Sequence, residues 1–489
     1  MVAVGATAAP TGAAAAGPRT GLPVTAASST MLGSSLVRSA ATPGAGRPNI
    51  VLVTTDDMTD KDLRYMPRTR RLLARKGASF RDFISPHPLC CPARAEILTG
   101  QYAQNNGVRH NAGPHGGFGA HDPRHTLATW LQSAGYRTAF VGKYLNHYYR
   151  RDGMVPGWDE FNPTLRGTYA PYGFTTYNNG SPRSYEKLYI ADMVTRATRS
   201  YIRDFSSDDR PFFVWASHIA PHGMNVDGRW VPPVPARRHA RLFADLAAPS
   251  LRDAAFSEPN VRDKPRYVRT ARPVAKSSAT ILFRRRIRSL QAVDEGVQRI
   301  VRTLRETGEL ANTVLVFTSD NGHLNGEHGL RGKNYPYEQA LQVPFLVRGP
   351  GMPAGVTRDQ TMTMVDLAPT LVDLAKATPD LTVDGRTMLP AIRREEAPGY
   401  GTALIQAGSS TRPWFFRGVR TPRYTYVRYF DGFTELYDRR RDPAQLRNVS
   451  GEPEYAAVEA ELTVRYRGLV DCSGVTCRPS LGVLPRLRR

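Results

Sequence analysis

The chain has 489 residues, 41% of them hydrophobic and 22% charged, a composition typical of a globular protein with a large core. Lysine and arginine number 66 against 43 acidic residues, and the net charge of +23 would suit an anionic partner. Nucleic acid is not expected, because neither a zinc-finger spacing nor an RNA-binding aromatic signature occurs. Because no apolar run reaches roughly eighteen residues, we expect no transmembrane helix.

Composition divides the chain into three parts. Residues 1–47 are rich in Ala, Gly, Ser, Thr and Pro and contain no acidic residue, which predicts a disordered leader. They lack a basic segment followed by a compact apolar core, so they do not resemble a signal peptide. We expect an α/β catalytic domain over residues 48–397 and a small α+β subdomain with an antiparallel sheet over residues 398–489.

Buried strands alternate with amphipathic helices in the predicted catalytic domain. The run Asn49–Thr55 is apolar and β-branched, as in a buried parallel strand. Further strands are predicted at 137–141, 212–216, 313–318 and 343–347. Helices are predicted between Pro67 and Gly77 and at 126–135, 185–205, 283–310 and 367–375. Residues 223–275 have no clear periodicity. The alternation predicts a doubly wound, mostly parallel sheet.

The C-terminal part has a different pattern. Short β-like runs at 403–405, 424–427 and 435–437 and a helix near 454–468 predict the small antiparallel sheet. Cys472 and Cys477 have no further Cys or clustered His nearby, which favours a small disulfide loop over a zinc site. A disulfide weakly favours export, so we expect a secreted or cell-envelope protein.

Polar pairs follow two of the predicted strands. Asp56 and Asp57 come directly after the first strand, and Asp320 and Asn321 follow the strand at 313–318. The carboxyl ends of parallel strands meet at one edge of a sheet, where open α/β proteins bind their ligands. Three carboxylates and an amide oxygen suit Ca²⁺ or Mg²⁺ rather than zinc. For any single Asp, a helix N-cap is the alternative interpretation.

The segment Pro88–Gly100 places two cysteines and Arg94 at the start of a predicted helix. Adjacent cysteines are poorly placed to bond to each other. A helix start with an arginine can hold an anion, so Cys90 is either a buried structural residue or part of a reactive centre.

Several cations lie at predicted loop tips: Arg94, Lys143, His222 and Lys333. A single lysine or histidine is more often a solvated surface residue. Cations that converge on a metal and a nucleophile could instead clamp a tetrahedral oxyanion such as sulfate or phosphate. No phosphate-binding loop or dinucleotide fingerprint occurs, which argues against nucleotide chemistry.

The run Cys90-Cys91-Pro92-Ala93-Arg94 resembles the type I sulfatase signature, Cys-x-Pro-Ser/Ala-Arg. The resemblance spans about residues 48–450, through 49–57, 142–143, 220–222, 319–322, 326–333, 366–370 and 435–443. The paired cysteines and the run Gly-Lys-Tyr-Leu-Asn at 142–146 are most similar to the N-acetylglucosamine-6-sulfatase branch and related bacterial arylsulfatases. Membership implies an alkaline-phosphatase-like fold. It also implies that the protein is a sulfuric ester hydrolase acting on a sulfated sugar or an aryl sulfate.

The resemblance also implies cofactors and a maturation partner. A formylglycine-generating enzyme would convert Cys90 to formylglycine, and Cys91 would be only its neighbour. The resemblance implies Ca²⁺, with Mg²⁺ less favoured, bound by the modified residue's oxygen and by Asp56, Asp57, Asp320 and Asn321.

The family pattern assigns a role to each cation. Arg94 would stabilise the formylglycine hydrate, Lys143 and Lys333 would bind the sulfate oxygens, and His222 would contact or protonate the leaving oxygen. One hydroxyl of the hydrate would attack sulfur, which is nucleophilic catalysis by a residue of the chain.

Two departures from the family pattern leave alternatives open. Ala93 replaces the commoner Ser of the signature, so conversion of Cys90 is less certain. Many arylsulfatases have Lys-x-His after the strand, whereas Lys143 is followed by Tyr-Leu-Asn146-His147, so either Asn146 or His147 would be the catalytic base.

Other functions and the substrate also stay open. One alternative is a phosphate or phosphonate ester hydrolase of the same superfamily. Another is a catalytically inactive, polyanion-binding homologue in which Cys90 stays a thiol. Within residues 223–275, Trp230 and Tyr267 could contact a sugar or an aromatic ring.

Overall fold

The computed structural model describes residues 46–487, so the predicted leader lies outside the described residues except for its last two. The strands, in chain order, are β1 (Asn49–Thr55), β2 (Ala78–Phe80), β3 (Phe83–Ile84), β4 (Arg137–Gly142), β5 (Glu160–Pro163), β6 (Phe174–Asn178), β7 (Ser181–Tyr185), β8 (Phe212–Ser217), β9 (Met224–Val226), β10 (Arg229–Val231), β11 (Thr313–Ser319), β12 (Leu324–Asn325), β13 (Arg331–Gly332), β14 (Phe345–Arg348), β15 (Val356–Arg358), β16 (Met362–Thr363), β17 (Ala403–Ala407), β18 (Phe416–Arg420), β19 (Tyr424–Tyr429) and β20 (Thr434–Asp438). The helices are α1 (Pro67–Leu72), α2 (Cys90–Thr99), α3 (Ala103–Asn106), α4 (Leu127–Ser133), α5 (Ile190–Phe205), α6 (Arg266–Arg269), α7 (Lys276–Glu306), α8 (Glu338–Leu341), α9 (Leu367–Ala375), α10 (Leu389–Arg393) and α11 (Ala456–Leu469).

Eight strands form the central sheet, in the order β15-β2-β14-β11-β1-β8-β4-β5. The five strands from β11 to β5 in this order run parallel to their neighbours. Strand β14 runs antiparallel to both β11 and β2. The predicted mostly parallel α/β sheet is therefore confirmed.

Helices cover both faces of this sheet. Every residue of β1 is buried, and its side chains alternate between two cores. Ile50 and Leu52 pack with helices α2, α4 and α9 on one face, whereas Val51 and Val53 pack with α5 and α7 on the other. Each such side chain contributes about 1.5–3 kcal/mol of transfer free energy. Burial on both faces explains why β1 is uniformly apolar.

Helix α2 lies entirely inside the protein, with all ten residues from Cys90 to Thr99 buried. It ends at Gly100, whose φ of 64° is left-handed and whose N–H donates to the Glu96 carbonyl over 2.8 Å. A side chain at residue 100 would also approach Pro369 to 3.1 Å, so glycine suits this end of the helix.

A four-stranded antiparallel sheet, β17-β18-β19-β20, forms the C-terminal part and packs against α11. The sequence predicted three of these strands and missed β18. Arg420 of β18 is buried and joins this sheet to the preceding part of the chain through bonds to Glu338 and Asp82 of 2.8 and 2.6 Å. The predicted disulfide between Cys472 and Cys477 is formed.

Two predicted helices begin several residues away from their predicted starts. The helix predicted at 185–205 begins at Ile190, because Ser181–Tyr185 pair with β6 as strand β7. The helix predicted at 283–310 begins at Lys276, because buried Ala279 extends its apolar side toward the N-terminus. Among residues 46–487, no helix is long and apolar enough to cross a lipid bilayer.

Glu96 of α2 generates a stability prediction. It is fully buried, and neither carboxylate oxygen has a hydrogen-bond partner among the described residues. Burial, reinforced by the nearby Asp384 carboxylate, raises the pKa of Glu96 well above its ordinary value. The folded protein therefore keeps a proton that the unfolded chain releases above about pH 4.3, so this group lowers stability as pH rises.

Glu96→Gln should remove the loss of folding stability that occurs as pH rises. We expect the variant to match the wild type near pH 4 and to be more stable by about 1–3 kcal/mol at neutral pH. Urea unfolding at both pH values measures the difference, and Glu306→Gln on the exposed surface is the control. A stability difference that is the same at both pH values would contradict the assignment.

Candidate active site

The oxygen-bearing side chains predicted at the strand ends lie side by side. Strands β1 and β11 pair in parallel with Thr55 opposite Ser319, so the residues that follow them are neighbours. The Asp57 N–H donates to Asp320 Oδ1 over 3.2 Å, and Asn321 Nδ2 donates to Asp57 Oδ1 over 2.7 Å. These side chains are almost completely shielded from solvent.

Helix α2 brings Cys90 to the same place. Its Sγ lies 3.5 Å from Asp56 Oδ1. One ligand atom from each of Asp56, Asp57, Cys90 and His222 lies within 4.8 Å of the others. The first residue of a buried helix thus contacts the carboxylates at the edge of the sheet.

Two lysines complete this cluster. Lys143 follows β4 and forms an ion pair with Asp56. Lys333 follows β13, pairs with Asp57, and places its Nζ 2.7 Å from Cys90 Sγ. Both side chains are mostly buried: 2% of the Lys143 side chain and 12% of the Lys333 side chain are exposed to solvent. Lys333 therefore contacts the Cys90 sulfur, and Lys143 contacts the Asp56 carboxylate next to it, instead of lying in solvent.

Arg94 ties the cluster to three strands. Its Nε donates to Asp320 Oδ2 over 2.9 Å, and its Nη1 donates over 2.6 Å to both the Lys143 carbonyl and Ser217 Oγ. It therefore links α2 to the ends of β11, β4 and β8. Ser217 was not predicted, although it is a polar residue at the end of β8, the same signal that identified Asp56 and Asp320 after β1 and β11.

The cations control the ionisation of the carboxylates. Burial opposes ionisation of Asp56, but Lys143 and other nearby cations hold its pKa well below the usual range. Burial opposes ionisation of Asp57 as well, and Lys333 nevertheless lowers its pKa to about 2. Asp320 differs, because burial and the Asp56 charge raise its pKa to about 6. The cluster therefore holds a dense set of paired charges.

The Cys90 thiol is not activated in this environment. Burial and the Asp56 charge raise its pKa to about 11, despite Lys143 and Lys333. Burial also raises the pKa of Cys91 to about 12. The Cys91 N–H donates to Asn111 Oδ1 over 2.9 Å. A thiol that stays protonated at neutral pH is a poor nucleophile.

The residues at this edge fit a hard divalent cation. Asp56, Asp57 and Asp320 supply carboxylate oxygens, which Ca²⁺ and Mg²⁺ prefer. Asn321 Oδ1 is buried and has no hydrogen-bond partner among residues 46–487. A buried acceptor without a donor is costly, and coordination of a cation would satisfy it.

Aromatic rings flank the cluster on the His222 side. His222 Nε2 lies 3.7 Å from Asp57 Oδ2. The Tyr169 ring lies 4.6 Å from the His222 ring and 5.2 Å from the Trp230 ring, between centroids. Lys143 Nζ lies 5.1 Å from the centre of the Tyr169 ring. Tyr169 was not predicted, because its loop has no pattern that distinguishes this tyrosine.

The structure separates His147 from the cluster, contrary to its predicted catalytic position. Its side chain is exposed, and its Nδ1 lies 2.8 Å from the Tyr149 hydroxyl. Its backbone is left-handed with φ of 60°, which redirects the chain at this residue. Asn146 points toward the cluster instead, and its Nδ2 donates to the Tyr169 hydroxyl over 3.2 Å.

Two protein-family models match this chain. The model described as Sulfatase matches residues 48–377. The model described as N-sulphoglucosamine sulphohydrolase, C-terminal, matches residues 326–471. The first match contains every side chain of the cluster.

Two curated relatives are similar over most of this chain. An extracellular sulfatase Sulf-1 homologue of Caenorhabditis elegans is 34% identical over 383 residues, covering 75% of this chain and 51% of that protein. The N-acetylglucosamine-6-sulfatase of Homo sapiens is 30% identical over 492 residues, covering 89% of this chain and 86% of that protein. The chain thus spans about half the length of the nematode relative.

A solved structure has the same fold. The structure of BT4656 in complex with its substrate D-glucosamine-2-N,6-O-disulfate has a TM-score of 0.73 at 23% identity. The match covers 86% of this chain and 97% of that chain. Together with the family model over residues 48–377, these likenesses show that the chain belongs to the sulfatase family.

Proposed function

We propose that the protein hydrolyses a sulfuric ester of a sugar or an aryl alcohol. The observation that supports this most directly is the arrangement around Cys90, where Lys333 contacts the sulfur and Lys143, Lys333 and Arg94 all pair with the adjacent Asp56 carboxylate. A tetrahedral sulfuryl group has several anionic oxygens, and cations fixed in a dry site stabilise such charge without reorganisation.

A divalent cation, Ca²⁺ in preference to Mg²⁺, would be held by Asp56, Asp57, Asp320 and Asn321. When bound, it would offset charge on the sulfuryl oxygens and orient the nucleophile. Support comes from the oxygen-only ligand set and from the unpartnered Asn321 Oδ1.

The nucleophile would be an oxygen on residue 90, so the Cys90 Sγ stands in for the oxygen of formylglycine. A formylglycine hydrate supplies a hydroxyl that can attack sulfur and a second one that allows release of sulfate. The raised pKa of the thiol supports this proposal, because unmodified Cys90 would stay protonated. A formylglycine-generating enzyme of the host would perform the conversion.

The surrounding residues would have distinct roles. Arg94 is held by Asp320 and Ser217 and would fix the orientation of residue 90. Lys143 and Lys333 would bind the sulfuryl oxygens. His222, whose Nδ1 lies 2.6 Å from the Gly223 carbonyl, would present Nε2 to the leaving oxygen, to contact it or, when both ring nitrogens carry a proton, to protonate it.

Export to an oxidising compartment is part of the proposal. The disulfide between Cys472 and Cys477 supports it, because such bonds persist mainly outside the cytosol. The extracellular relative from Caenorhabditis elegans supports it as well. The N-acetylglucosamine-6-sulfatase of Homo sapiens supports a sulfated sugar as substrate.

The adjacent cysteines provide a matched test of the nucleophile. Cys90→Ala should lower sulfate release at least about 1,000-fold, as expected for loss of a nucleophile. Cys91→Ala should keep most of the activity, because Cys91 is buried beside the site, whereas Lys333 contacts the sulfur of Cys90. Both proteins are made with a formylglycine-generating enzyme, and circular dichroism checks their folds.

N-acetylglucosamine 6-sulfate and 4-nitrophenyl sulfate serve as substrates in that experiment, with 4-nitrophenyl phosphate and phenyl phosphonate esters beside them. The proposal predicts faster turnover of the sulfates. Full activity in Cys90→Ala would refute the role of residue 90, and a preference for the phosphonate would favour the alternative hydrolase.

Asn321 provides a test of the cation site. Asn321→Ala removes one oxygen ligand and should weaken Ca²⁺ binding by at least about tenfold. Calorimetric titration of the metal-free protein with Ca²⁺ measures this without depending on turnover. Asn325→Ala, four residues along the chain, is the control. Equal Ca²⁺ affinity in both variants would mean that Asn321 is not a ligand.

A further inference from the structure

Trp230 is unusually exposed for its size. It lies in β10 of the hairpin β9–β10 with 61% of its surface in contact with solvent. Large exposed aromatic side chains that border a site often mark a binding surface. The hairpin belongs to the long irregular segment between β8 and α7 and places Trp230 beside His222, with 5.9 Å between ring centroids.

Three rings form a continuous wall, which we call the ring wall: Tyr169, His222 and Trp230. Tyr169 contacts both other rings, at 4.6 and 5.2 Å between centroids. The inner end of the wall is His222, which lies near Asp57. The outer end is the exposed indole. The wall therefore extends from the proposed reacting group toward solvent, where the alcohol part of a substrate would lie.

Asn146 adds a polar contact to this wall. Its Nδ2 donates to the Tyr169 hydroxyl over 3.2 Å, which fixes the direction of the amide. Its Oδ1 is buried and has no hydrogen-bond partner among the described residues. A buried acceptor beside a site is best satisfied by a donor on the ligand. The ligand should therefore carry a hydroxyl or an N–H group as well as an apolar face.

We infer that the ring wall and Asn146 bind the pyranose ring of a sulfated sugar, with Trp230 against its C–H face and Asn146 Oδ1 accepting from a ring substituent. This inference rests on the proposed sulfatase activity. An aryl sulfate could pack against Trp230 but offers no donor to Asn146. A site built to hydrogen-bond its substrate discriminates against an analogue without that group.

Two variants separate these contacts. Trp230→Ala should lower kcat/KM by about tenfold or more for both N-acetylglucosamine 6-sulfate and 4-nitrophenyl sulfate, mainly through KM, because either ring loses its packing surface. Asn146→Ala should lower kcat/KM about tenfold more for the sugar sulfate than for the aryl sulfate, as expected for one lost hydrogen bond. Trp230→Phe should keep most of the wild-type kcat/KM, because phenylalanine retains an aromatic ring. Phe430→Ala removes a ring of similar exposure, 53%, far along the chain and is the control.

The outcomes distinguish this inference from the proposed function. If the wild type hydrolyses the sugar sulfate but neither Trp230→Ala nor Asn146→Ala changes its kinetics more than Phe430→Ala does, the ring wall is not a sugar site. If the wild type releases no sulfate, the proposed function fails. Calorimetric binding of N-acetylglucosamine 6-sulfate to the wild type and the same variants then decides the inference alone. Binding weakened by Trp230→Ala and Asn146→Ala upholds it, and unchanged or absent binding overturns it.

Discussion

Strands β1 and β11 pair in parallel over seven residues, and their register fixes where Asp56, Asp57, Asp320 and Asn321 meet. The three carboxylates in this set are almost completely buried. Like charges repel strongly in such surroundings, because there is little solvent to screen them. The arrangement therefore requires compensating positive charge from other parts of the chain.

That charge comes from three separate elements. Arg94 projects from α2, Lys143 follows β4, and Lys333 follows β13. Removing one member of such a buried set leaves an unpaired charge, which costs about 3–5 kcal/mol. The position of α2 at the carboxylates is thus explained by electrostatics as well as by its apolar packing. Because Cys90 is the first residue of α2, this pairing of cations with buried carboxylates also sets the position of residue 90.

The same cluster serves the chemistry that we propose. Cations that balance carboxylates in the free protein can also contact anionic sulfuryl oxygens when substrate binds. A bound divalent cation would offset part of the negative charge at Asp57 and would be coordinated by the neutral oxygen of Asn321. The site therefore combines a structural requirement for charge pairing with groups already oriented for catalysis.

Much of the fold and the cluster could be predicted because they follow local patterns. Uniformly apolar runs predicted the central strands, and parallel strands bring the residues after them to one edge. Strand β18 was missed because Arg417, Gly418 and Arg420 interrupt any alternation, and its stability comes from pairing with β17 and β19. Long-range pairing of this kind leaves no signal in a short window of sequence.

Side-chain direction was harder to predict than position along the chain. Asn146 and His147 are adjacent, and only the left-handed backbone at His147 sends one inward and the other to solvent. Tyr169 depends on how its loop folds over Lys143, a contact between residues distant in sequence. The burial of Glu96 was also not predicted. A glutamate in a helix usually faces solvent, whereas all ten residues of α2 are buried in the structure.

We propose above all that residue 90 acts through oxygen and not through sulfur. Peptide mass spectrometry of active protein, made with a formylglycine-generating enzyme, tests this proposal. The peptide containing residues 90 and 91 should be about 18 Da lighter than the unmodified peptide and should carry one alkylatable thiol, at Cys91. Fully active protein with two intact thiols in that peptide would overturn the proposal.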